Sequence, residues 1–166
     1  MPSSMIPGIA NPNTTKFSHG AQPKFILAFF ENAMSKGEVA QWSDTTAYLG
    51  FGVEDAVNSS TRVAGVVPVD VSTANTWGWL QAGGYCDYIT TDGSVAAPNA
   101  DTLQGDVYLQ ASNNSSAPRA IGVTNVESMG AADNSAGRIH SCFAMNLAAD
   151  TSGNLGYCIL MCRYQH

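Results

Sequence analysis

Charge is scarce in this chain of 166 residues: Asp, Glu, Lys and Arg make up 12% of it, and seven basic against thirteen acidic residues leave a net charge of −6. With a pI near 4.7, its surface repels phosphate backbones and anionic membranes, so neither nucleic acid nor a membrane is the expected partner. Nowhere do about eighteen apolar residues run together, the length a membrane-spanning helix requires. The opening MPSSMIPGIANPN lacks the basic region and apolar core of a secretory signal. Synthesis in a cytoplasm is therefore expected, and the four cysteines Cys86, Cys142, Cys158 and Cys162 read as reduced thiols. Lys, Glu and Leu are also few, whereas sixteen Gly accompany abundant Asn, Ser and Thr. That is poor material for long helices and good material for turns.

Catalytic patterns are missing as well. The chain has no G-x-S-x-G elbow, no phosphate loop ending in Gly-Lys-Ser/Thr, no H-E-x-x-H and no G-x-G-x-x-G ahead of a helix. Of three histidines, His19 falls in a Pro/Asn-rich stretch and His166 is the last residue, which leaves His140. His140 and Cys142 lie two apart, about 7 Å along one strand face, and a neighbouring strand could add a thiol to make a zinc site. Against this, Cys158 and Cys162 are separated by about 13 Å of extended chain, and paired Cys-x-x-Cys knuckles are absent. Buried small hydrophobes are the preferred role for these thiols. Neither an enzyme nor a cofactor or metal site is expected. Acidic positions Asp87, Asp101 and Asp106 fit no twelve-residue calcium loop of the D-x-D-x-D-G kind.

What the chain does have is strand patterning. From Val63 to Gln110, apolar runs of a few residues alternate with turn residues, which is the pattern of strands. A two-residue period places Trp77, Trp79, Gln81 and Tyr85 on one face, and Gly78, Leu80 and Ala82 on the other. PKFILAFFENAMSKGEVAQW fits a helical stripe or an alternating strand; its aromatics favour a strand, a turn at Ser35-Lys36-Gly37, then a strand Glu38 to Trp42. Glu54 and Asp55, adjacent and so on opposite faces of any strand, read as a solvated turn and not a paired site. Residues 62–70 and 119–127 share an Arg, Gly, Val pattern ending in an acid, which suggests two equivalent barrel strands. Asp92-Gly93 and Asn99 to Asp101 supply turns, and ASNNSSAP at 111–118 a loop. GYCILMCRY, almost wholly apolar, reads as a strand covered on both faces. Trp42, Trp77 and Trp79 read as core or interface anchors, or as a stacking platform for sugars or bases. The expected architecture is all-β: a small barrel or sandwich over residues 23–166, preceded by residues 1–22, which read either as a loose terminus or as an extended arm that orders on a neighbouring subunit.

The order of GVVPVDV, the aromatic strand WGWLQAGG, the DGSVAAPNADTL turn and strand, AIGV and a C-terminal strand resembles the capsid decoration, or cement, proteins of tailed bacteriophages. NAMSKGEVAQW resembles the opening strand of that family, so about two thirds of the chain is covered. The resemblance implies a virion structural protein on the outer capsid surface that clamps major capsid proteins and assembles as a homo-trimer or homo-dimer. Interface residues expected on this basis are Met5, Ile6, Ile9 and Phe17 of the arm, Trp77 and Trp79, and Ile159, Met161 and Tyr164 of the last strand. A head-fibre or tail-associated module that binds carbohydrate or receptor is the alternative.

Overall fold

The computed structural model describes residues 22–43, 50–58, 60–93, 95, 106–113, 118–124, 142–149 and 156–162. These form nine strands and no α-helix: β1 Lys24–Phe30, β2 Val39–Trp42, β3 Gly52–Asp55, β4 Val63–Val66, β5 Thr76–Ile89, β6 Asp106–Ser112, β7 Arg119–Thr124, β8 Cys142–Asn146 and β9 Gly156–Met161. The all-β expectation holds, and the contested stretch at β1 is a strand. Phe25 to Phe30 each face a residue of β5 from Gln81 back to Thr76. Alternation then gives Ala28 and Phe30 to a buried core, with Ile26 packed against it.

Five strands close on themselves. Their order is β1, β3, β2, β4, β5, and β5 pairs again with β1, so no edge is left in the ring. Only the β1–β3 pairing is parallel. The interior holds Phe30, Met34, Trp42, Val53, Val67 and Leu80, filled out with alanines. Trp42 is therefore a core residue.

Fourteen residues make β5 longer than the ring requires. Its second half carries four extra strands in the order β9, β8, β6, β7. This second sheet curls back, because Ala120 of β7 bonds Thr90 and Asp92 just beyond β5, at 2.9 and 3.0 Å. Its inner face lies against the outside of β2 and β4. There Val39, Val63 and Val66 join Cys86, Ile89, Leu109, Phe143, Cys158 and Leu160 in a second core. One backbone bond, Val39 N–H to Pro118 carbonyl at 2.9 Å, ties the two layers directly.

Glycine permits this arrangement at two places. A Cβ on Gly65 would come within 2.3 Å of the Gln81 carbonyl oxygen, so β4 approaches β5 only because the side chain is missing. Gly84 has φ +79° within β5, in the left-handed region where glycine carries no penalty. Around it the inward-facing phase of β5 changes. Gln81 and Cys86 are both buried although one is odd-numbered and the other even. Trp77 and Trp79 do share a face, but Gln81 on that face is buried because the second sheet begins there.

Two expectations change in detail. Glu54 and Asp55 belong to β3 and not to a turn, because residues 53–55 pair with β2. The similar segments 62–70 and 119–127 do both contain strands, but in different settings. β4 stands inside the closed ring, and β7 ends the order of the second sheet.

Candidate functional site

The barrel wall opposite the second sheet has no cover from the described residues. Alternation along β1 and the first half of β5 turns Leu27, Phe29, Trp77 and Trp79 outward, and the register sets Leu27 beside Trp79 and Phe29 beside Trp77. Phe51, immediately before β3 on the adjoining segment, completes the patch. Trp77 stands edge-on to Phe29 with ring centroids 5.4 Å apart, and tilted against Phe51 at 6.2 Å. Phe29 is buried beneath, whereas Trp77 remains 49% exposed, Leu27 47% and Phe51 47%. Trp79 is half-buried. Such rings prefer edge-to-face contact, so Trp77 is held in place while one side stays exposed. At one end, Asn75 adopts φ 59°, a conformation that turns the chain sharply into β5.

A second apolar row runs over the outer face of the second sheet. Register places Tyr85, Ile159, Met145 and Tyr108 side by side on β5, β9, β8 and β6. Tyr157 and Met161 flank Ile159 on the same side and are 46% and 44% exposed. The last strand was expected to be covered on both faces; among the described residues only the Cys158 and Leu160 side is. Burial raises the Tyr85 hydroxyl above its ordinary pKa of 10.0, with Asp87 and Tyr157 adding to the shift. The Tyr85 phenol is therefore neutral at physiological pH, within a row that is otherwise largely aliphatic.

Between the layers lies a polar chain. Gln81 Nε2 donates to the carbonyls of Gly83 and Tyr85 at 3.2 and 2.7 Å, and its Oε1 accepts from the Tyr88 hydroxyl. Gln41 does the same for the other layer: Nε2 donates to Glu54 Oε1 at 2.9 Å, and Oε1 accepts from Val57 N–H at 3.1 Å. Both side chains are buried and serve to satisfy backbone and neighbours where the strands diverge. Glu54 is thus occupied by Gln41, whereas Asp55 takes a side-chain hydrogen bond from Asn32 but keeps its buried Oδ1 without a partner among the described residues.

Cys86 and Cys158 face each other across β5 and β9. Both are fully buried free thiols, with Cys162 packed against the same core. The hydrogen bond with Cys86, then burial, pushes Cys158 well up, and burial pushes Cys162 up to about 12, so both stay protonated at neutral pH. A protonated buried thiol is a small hydrophobe and a poor nucleophile. Among the described residues, no group of three or more His, Cys, Asp or Glu is placed to hold a metal ion. No helix among them is long and apolar enough to cross a membrane.

Of the residues expected at an interface, Trp77 and Trp79 lie together on the open wall, and Ile159 and Met161 lie on the second row. Met5, Ile6, Ile9, Phe17 and Tyr164 fall outside the described residues, as do His19, His140, His166 and Asp101. Sequence reading missed Leu27, Phe51, Met145 and Tyr157. The signal for Leu27 was the alternation of β1, and for Tyr157 that of β9; Phe51, isolated between Gly50 and Gly52, gave none.

No protein-family model, curated protein or solved structure matches the chain. The fold itself defines a class: an all-β protein built on a closed five-stranded barrel with a second sheet against one wall. Its largest exposed side chains gather on two outward faces, one on each layer.

Proposed function

We propose that this protein is a capsid decoration, or cement, protein. It binds the outer surface of a tailed-phage head and bridges adjacent major capsid proteins, acting as a homo-trimer or homo-dimer made in the host cytoplasm. The reading rests on the order of sequence segments and, in the structure, on one observation: an aromatic wall of Leu27, Phe51, Trp77 and Trp79 left open on a barrel that is otherwise well packed. Exposed apolar patches of this kind mark association surfaces, and aromatics dominate the energetic centres of interfaces. No chemistry is needed for such a role. A contact burying about 1,000 Å² or more, repeated at every equivalent position of a symmetric shell, stabilises the particle by its number. The second row, with Met145, Tyr157, Ile159 and Met161, supplies a further contact on the other layer, and bridging requires two.

Co-sedimentation tests the reading. The purified chain should pellet with undecorated shells of the phage that encodes it, and Trp77→Ala should weaken that binding without unfolding the protein. Wild-type protein that stays in the supernatant would defeat the proposal.

The half-exposed ring of Trp77 also favours a second reading, a carbohydrate-binding module on a head fibre or tail. Quenching of tryptophan fluorescence by host polysaccharide, lost in Trp77→Ala, would select it over shell binding.

A further inference from the structure

The β5–β9 pairing is the joint by which the extra strands join the barrel strands, since in the sheet order β9 alone links β8, β6 and β7 to β5. Within that joint Cys86 and Cys158 are directly opposed. Antiparallel partners of this kind have Cα atoms about 4.5–5.5 Å apart, inside the range of about 4.4–6.8 Å that a disulfide spans. The two thiols are already hydrogen-bonded to each other. A third thiol stands nearby: Cys162 is partly exposed and lines a surface cavity of about 180 Å³ bounded also by Lys24, Gly83 and Met161.

The geometry points to a latent cross-strand disulfide between Cys86 and Cys158, formed when the protein meets an oxidising medium that supplies a small disulfide. The exchange balances in two displacements. Cys86 attacks one sulfur of the small disulfide, giving a mixed disulfide and releasing one small thiol. Cys158 then attacks the Cys86 sulfur, forming Cys86–Cys158 and releasing the second small thiol. Two protein thiols are oxidised, one small disulfide is reduced to two thiols, and the two protons leave on those products. Thiolates carry each attack, so the burial of both thiols makes the reaction slow at neutral pH and faster as pH rises. Cys162 joins neither partner, because it lies about 13 Å of extended chain beyond Cys158 and so equally far along the strands from Cys86 opposite it.

The test uses the full chain treated with oxidised glutathione, then unfolded in the presence of an alkylating agent, digested and analysed by mass spectrometry. The expected product is a Cys86–Cys158 linked peptide with Cys162 and Cys142 alkylated. Closing so long a loop should raise the Tm by about 10 °C relative to the reduced protein. Cys86→Ala should abolish both the linked peptide and the shift, whereas Cys162→Ser should form the same link as wild type. A fully alkylated wild-type chain, a link between other cysteines, or loss of the link in Cys162→Ser would overturn the proposal.

Discussion

Along β2 and β4 the outward side chains are Val39, Val63 and Val66; along β1 and the first half of β5 they are Leu27, Phe29, Trp77 and Trp79. Both sets line the outside of the same closed ring, and the residues that alternate with them, Ala28, Phe30, Ala40, Ala64, Val67 and Leu80, fill the same interior. The first wall is covered by the second sheet of its own chain, and its valines are fully or almost fully buried. The second has no cover from the described residues, and it carries the larger side chains. Small β-branched side chains suit a permanent seam, because they pack closely and lose little freedom on burial. Aromatic side chains suit a surface that must gain much area from few ordered groups when a partner arrives. The difference separates a wall that the second sheet of the same chain covers from one that the described residues leave uncovered.

The sharpest way to break this comparison is to charge the covered wall. Val66 is wholly buried between the layers, so Val66→Asp places an unpaired carboxylate there and should cost about 4 kcal/mol or more, enough to unfold much of the population. A urea midpoint close to wild type would show that the two layers do not depend on this seam. At the open wall the same measurement should barely respond. Trp77→Ala removes a half-exposed ring with one edge contact at 5.4 Å, and its stability cost should be about 1 kcal/mol. Its effect belongs to binding: sedimentation with shells should weaken by roughly thirtyfold, the loss of an interface anchor worth about 2 kcal/mol. Equal losses of stability at the two walls would erase the distinction.

The covered wall was legible in the sequence only as strands. Alternation identified β1, β2, β4 and β5 and placed Trp77 and Trp79 on one face, because the pleat is a local property of the backbone. It also marked the apolar last strand. Which face of a strand is covered is decided by distant segments, however. Val66 and Trp77 look equally fit for burial in isolation, and only the return of β9 across β5 makes one a seam and the other a surface. The phase change near Gly84 was hidden for a related reason: a left-handed glycine within a strand looks like any other glycine until its φ is known. The pairing of Cys86 with Cys158, 72 residues on, was likewise invisible, as register between strands far apart in sequence leaves no periodic trace.

The smallest expected effect sharpens the comparison through pH. Glu38 immediately precedes Val39, at the edge of the covered wall, and its Oε2 accepts from Ser35 N–H at 2.7 Å. Burial raises its pKa above the ordinary 4.5, nearby Asp55 adds to that, and Ser35 and Arg119 only partly oppose it. Burial likewise raises Asp55 above 3.8, with Glu54 adding and the Asn32 hydrogen bond opposing. For both groups the folded state keeps its proton to a higher pH than the unfolded chain does. Their contribution is therefore fully present below the ordinary values and is lost as pH rises through the folded ones. Glu38→Gln keeps an oxygen for Ser35 N–H and removes the titration. Its stability at neutral pH should lie within about 0.5 kcal/mol of wild type. The difference in urea midpoint, variant minus wild type, should move in the variant's favour as pH rises from below 4.5 to neutrality. A difference that moves the other way would mean that Glu38 is stabilised as a carboxylate by the Arg119 side of the seam, and that the joint between the layers is held by charge as well as by its valines.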